Sequence, residues 1–138
     1  MRITAAAIAG LVVCMGVVCA GAASAQEYVA PSTEKCAAVY GALAQDQGAF
    51  GTTDSLMGER YFNYPKISFD DRLNQLAGKS EKGVSDLKDS AAADQAAFYK
   101  TLVDAETDGD VEVVGVQDMI RLADTCDAEY GFSPSLGG

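Results

Sequence analysis

The 138-residue sequence contains no histidine and no tryptophan, and only 3 prolines. Without histidine there is no ordinary Ser-His or Cys-His dyad for nucleophilic catalysis. Zinc loses its commonest nitrogen ligand for the same reason. Basic side chains are also scarce, since 10 Lys and Arg face 20 Asp and Glu and leave a formal charge of -10. Binding to phosphate needs clustered Lys and Arg, so neither a nucleic acid nor an anionic membrane surface is an expected partner. What remains is 49% hydrophobic and 22% charged, the balance of a globular chain rather than a disordered one. The length suits one domain with one modest core.

The first residues are read as a targeting segment. Met1 and Arg2 precede an apolar run from Ile3 to Ala23, and Ala23-Ser24-Ala25 leads into polar Gln26 and Glu27. This is the pattern of a signal peptide cleaved after Ala25, although the apolar run is also about long enough to span a bilayer as an uncleaved anchor. Cys14 and Cys19 each follow a valine, where a lipoprotein site needs a small residue, and both leave with residues 1–25. The expected mature domain, residues 26–138, keeps 113 residues, two cysteines and 9 basic against 20 acidic side chains. It is expected in the periplasm or outside the cell, with no stable membrane insertion after cleavage.

In an exported chain the even pair Cys36 and Cys126 is most simply a disulfide. Closing a loop of that length is worth about 4 kcal/mol in the chain-entropy picture. Their separation argues against a redox-active pair, which favours a C-x-x-C spacing.

The mature chain reads as helices separated by Gly, Pro and Asp breaks. Ser32 or Thr33 can cap a first helix with Cys36, Val39, Tyr40, Leu43 and Gln47 on one face. Thr52 and Asp54 can start a second, through Leu56, Met57, Arg60 and Tyr61, and Pro65 interrupts it. Ser68 with Asp71 resembles a cap before Leu73 and Leu76, with an exit at Gly78. Ser80 is expected to open the longest segment, whose Val84, Leu87, Ala91, Phe98, Leu102 and Ala105 share a face. A turn at Asp108, Gly109 and Asp110 separates it from a last helix that starts near Glu112 and turns Val113, Val116, Ile120, Ala123 and Tyr130 inward. A strand over 111–116 is the competing reading, with no second run to pair with. The expected architecture is an all-α, disulfide-closed bundle of four helices, the second interrupted, with flexible N- and C-terminal tails. In an up-down-up-down bundle, the start of the first helix lies beside the end of the last, which is where Cys36 and Cys126 fall.

Two stretches are candidates for function. Asp104, Glu106, Asp108, Gly109 and Asp110 resemble the opening of a calcium loop, in which carboxylates at alternate positions converge on one ion and the glycine permits the turn. The twelfth position, normally a bidentate glutamate, is Gly115, and Glu112 stands off the required spacing, so a solvated acidic turn is the plainer reading. No other cofactor is expected. The second stretch is Tyr61, Phe62, Tyr64, Ile67 and Phe69 around Pro65. Such side chains serve as interface anchors or as the plug of a small core. The strings Ser32-Thr33-Glu34-Lys35 and Ser85-Asp86-Leu87-Lys88 both match S-x-x-K, but a doubly matched short string in a chain this small is uninformative. The reading favoured by the sequence is a non-enzymatic accessory of the cell envelope, binding a protein or small ligand through Tyr61–Phe69. A calcium-binding or structural module is the alternative, and a small hydrolase the third.

Overall fold

The structure, a computed structural model, describes residues 27–137, so the signal-peptide reading of residues 1–25 lies outside the described residues. All regular structure among them is helical: α1 (Thr33–Phe50), α2 (Leu56–Arg60), a 3-10 turn (Tyr64–Lys66), α3 (Phe69–Gly78), α4 (Val84–Asp108) and α5 (Val114–Tyr130). None of these helices is long and apolar enough to cross a membrane. The run at 111–116 forms no strand. Val111 is buried in the turn, Glu112 and Val113 lead out of it exposed, against the expectation that Val113 turns inward, and α5 begins at Val114.

Helix α1 is the centre of the molecule. Ser32 caps it by accepting a hydrogen bond from the Lys35 amide at 3.1 Å, which satisfies one of the donors left open at a helix start. The expected apolar face is present, but burial runs around the whole helix, since every residue from Cys36 to Leu43 is buried. The composition permits this, because Ala37, Ala38, Gly41 and Ala42 are small enough for other elements to approach on all sides. At Gly41 a β-carbon would lie 2.2 Å from Gln95 Oε1 of α4.

Helix α5 runs antiparallel to α1. The Cys36 and Cys126 sulfurs are bonded at 2.06 Å, and the Tyr130 hydroxyl near the end of α5 donates to the Pro31 carbonyl just before α1, at 3.2 Å. Between α1 and α4 the segment is broken at Pro65, which sits in the 3-10 turn, and Ser68 caps α3 through the Asp71 amide at 3.3 Å. The start of α2 is corrected: Ser55, rather than Thr52 or Asp54, caps this single-turn helix through the Gly58 amide at 3.0 Å.

Two further boundary expectations are corrected. Ser80 does not open α4; its hydroxyl instead accepts from the Lys82 amide two residues on, a local turn that holds the helix start back to Gly83. The C-terminal stretch is not a flexible tail. Gly131 leaves α5 in the left-handed conformation at φ 74°, and Phe132 and Leu136 then turn back onto the core, with Leu136 fully buried. Two apolar side chains four residues apart give this stretch enough surface to dock. On the other side, Tyr28 and Val29 remain exposed.

Candidate functional site

The aromatic stretch divides by burial. Tyr64 and Phe69 are fully buried and Ile67 nearly so, with the Tyr64 and Phe69 rings 5.8 Å apart and Phe69 6.2 Å from Tyr40 of α1. These three plug the core and are withdrawn from any surface a partner could reach. Tyr61 is half-buried, and its hydroxyl accepts from Gln117 Nε2 of α5 at 2.7 Å. Phe62 alone faces solvent, at 74% exposure, with Lys66 Nζ over its ring 3.9 Å from the centroid.

The loop that carries Phe62 is tied down from inside. Gln47 Nε2 donates to the carbonyls of Tyr64 at 3.0 Å and Ile67 at 2.8 Å, and the Tyr64 hydroxyl donates to Asp46 Oδ2 at 2.5 Å. Arg60 pairs with Glu112 at 3.1 Å, so the loop is fastened to the start of α5, where Val113 and Val114 are also exposed. The sequence reading marked the aromatics but gave no means of separating Phe62 from its neighbours.

The carboxylates of the 104–112 turn point to different partners. Asp104 binds Lys100 one turn back at 2.6 Å. Glu106 reaches the start of α2 and accepts from the Leu56 amide at 2.9 Å and the Met57 amide at 3.4 Å, so it acts as a remote cap on a helix start, where a negative charge is favoured. Asp110 Oδ1 accepts from the Glu112 amide at 2.9 Å, and Glu112 is the partner of Arg60. Asp108 is exposed at the end of α4. Among the described residues no group of three or more His, Cys, Asp or Glu side chains is placed to hold a metal ion.

The charges that matter most to the core lie elsewhere. Asp127, beside Cys126, accepts from the Tyr40 hydroxyl at 2.6 Å, and its other oxygen lies 2.9 Å from Arg72 Nη1. Both charged residues are almost completely buried. The Arg72 approach is too poorly aligned for a hydrogen bond, so it acts as a close charge contact. Burial pushes the Asp127 carboxyl up to about 6 against the opposing pull of Tyr40 and Arg72. Asp46 is likewise pushed up to about 6, chiefly by burial and further by the Glu106 charge; its Oδ1 has no hydrogen-bond partner. The sequence carries a trace of all three, since each sits on an apolar stripe. Asp46 is seven residues past Val39, Asp127 is seven past Ile120, and Arg72 lies three residues past Phe69, in the series that continues through Leu73 and Leu76. A charge in a stripe position marks a buried charge that needs a partner.

The S-x-x-K strings bring no chemistry together. Ser32 is the cap of α1, with its hydroxyl spent on the Lys35 amide, and Ser85 and Lys88 are exposed on α4. No protein-family description, curated protein or solved structure matches the chain.

Proposed function

We propose that the chain is an exported, non-enzymatic accessory protein of the cell envelope that binds a partner protein through the loop centred on Phe62. The observation that carries this reading is the contrast within one anchored segment. Tyr64, Ile67 and Phe69 are sunk in the core while Phe62, between them and Tyr61, stands 74% exposed. An aromatic held out on a fastened loop offers large contact area at little entropic cost on binding. The disulfide favours an oxidising compartment, and the apolar start of the sequence supports export. With a formal charge of -10, the favoured partner carries a basic surface, and association slows as salt rises. We also read α1, the broken α2–α3 unit, α4 and α5 as the four rods of a bundle, a reading supported by the pairing of opposite helix ends at Cys36 and Cys126.

A photo-crosslinking side chain placed at position 62 in growing cells, with a second chain labelled at exposed Asp89 as control, tests the reading. One discrete cross-linked envelope protein at 62 but not at 89, with affinity at least about tenfold weaker for Phe62→Ser, an effect of the size lost with an interface anchor, is the expected result. Equal labelling from both positions contradicts it.

A further inference from the structure

Between α1, α3 and α4 lies an open cleft of about 300 Å³, floored by Gly41, Ala44 and Leu73 and edged by Gln45, Asp70, Lys88 and Gln95. It adjoins a second cleft of about 500 Å³, which shares Gln45, Lys88 and Gln95 and continues along α4 past Ala92, Ala96, Tyr99 and Val103. Both have the size of small-molecule sites. The charges at the edge are unspent. Asp70 and Lys88 line the same cleft, yet among the described residues neither forms an ion pair, with the other or with a third side chain. The other lysines are all engaged. Lys35, Lys82 and Lys100 pair with carboxylates, and Lys66 and Lys79 lie over the rings of Phe62 and Phe132. In a chain with 20 acidic and 10 basic side chains, a lysine left with neither carboxylate nor ring is an exception. Gln95 Nε2 donates to Gln45 Oε1 at 2.9 Å, and Gly41, lacking a β-carbon, gives the Gln95 amide room to lie against α1. With its oxygen so engaged, the Gln45 amide is held with its Nε2 donor free.

We propose that this cleft binds a free α-amino acid with an apolar side chain. Lys88 and the Gln45 amide take the carboxylate, Asp70 takes the ammonium, and the side chain lies in the adjoining cleft along Ala92, Ala96 and Tyr99. A ligand with only a negative group would approach against the field of a chain of formal charge -10, and one with only a positive group would leave Lys88 unanswered. A zwitterion meets both charges and carries no net charge for that field to repel. Because Asp70 and Lys88 are exposed, each contributes modestly. The charges therefore fix orientation and class of ligand, and contact with Ala92, Ala96 and the Tyr99 ring supplies the larger share of affinity. This inference stands independently of the role given to Phe62.

The test titrates L-phenylalanine into the isotope-labelled full chain and follows the side-chain amide resonances of Gln45 and Gln95 and the ring of Tyr99. Saturable shifts at these three residues are the expected result, with affinity at least about threefold weaker for Lys88→Met and for Asp70→Asn, the size of effect an exposed charge contact supports. No saturable shift, or unchanged affinity in either variant, overturns the proposal. Three analogues decide the ligand class on the unaltered chain, so the result holds even where a variant fails to fold. N-acetylphenylalanine lacks the ammonium, phenylalaninamide lacks the carboxylate, and glycine lacks the apolar arm, and each is expected to bind at least about threefold more weakly than phenylalanine. Equal binding of either phenylalanine derivative assigns the cleft to one end of a peptide and overturns the free amino acid, and equal binding of glycine overturns the role of the adjoining cleft.

Discussion

The Tyr40 hydroxyl donates to Asp127 Oδ1 across 2.6 Å, one helical turn from Cys36 on α1 and one residue from Cys126 on α5. The two helices are therefore joined at one level by a covalent link and a buried polar link, and Arg72 brings α3 to the same point from 2.9 Å. The charge at the junction is not neutralised without cost, because all three groups are removed from water.

The first prediction concerns pH. Asp46 and Asp127 titrate near 6 in the folded chain against a model-peptide value of 3.8. A carboxyl raised by folding binds its proton more tightly in the native state. Its contribution is therefore fully present below 3.8 and is lost as pH rises through about 6. The groups facing Asp127 are Tyr40, Arg72 and Asp124, and those facing Asp46 are Tyr64 and Glu106. Melting is expected at least about 4 °C higher at pH 5 than at pH 7.5, the shift that ~1 kcal/mol produces in a small domain. Relief of general acidic repulsion acts in the same direction, so the deciding measurement is the pH slope of Asp46→Asn and Asp127→Asn, each of which should be flatter than that of the unaltered chain.

Removing the positive partner should expose the same linkage from the other side. Arg72→Met leaves Asp127 buried without its counter-charge and is expected to cost about 3 kcal/mol at pH 7.5. The cost should shrink at pH 5, where Asp127 takes up a proton. Urea unfolding midpoints at the two pH values check it, and an equal loss at both would contradict the coupling.

Two glycines in helices should respond in opposite senses to alanine. At Gly58 in α2 the new β-carbon would lie 2.3 Å from the Thr52 carbonyl oxygen, a backbone atom that cannot move aside, so Gly58→Ala should destabilise by about 1–3 kcal/mol. At Gly48 in α1 nothing lies within 4 Å of the added atom, and Gly48→Ala should stabilise by ~0.5–1 kcal/mol through helix propensity and a less free unfolded chain. Thermal melts of the two variants give the comparison.

Much of the helical plan was legible in the sequence because it depends on local rules. The serines that cap α1 and α3, the break at Pro65, and the glycine exits at Gly109 and Gly131 all act within a few residues, and the cysteine pair was fixed by count and periodicity. What escaped depends on distant neighbours. Nothing local distinguishes Phe62 from Tyr64, because their opposite burial is set by Gln47 and Asp46 of α1. Nor does the sequence around Glu106 show that its carboxylate caps α2, fifty residues earlier. The docking of residues 132–136 escaped for the same reason, since its partners Asn63, Arg72 and Tyr40 are far away in the chain.

The bridge itself should carry a large part of the net stability. The double variant Cys36→Ser, Cys126→Ser is expected to lose about 4 kcal/mol, as the 90-residue separation implies for a lost loop constraint. Denaturant unfolding of the variant beside the oxidised chain reads this directly.

The most direct test of the account is intact-mass and peptide analysis of the chain purified from its native compartment and alkylated under denaturing conditions without reductant. The account predicts no label on Cys36 or Cys126 until a reductant is added, and one label on each afterwards. Both cysteines labelled without reductant would contradict the covalent joining of α1 to α5.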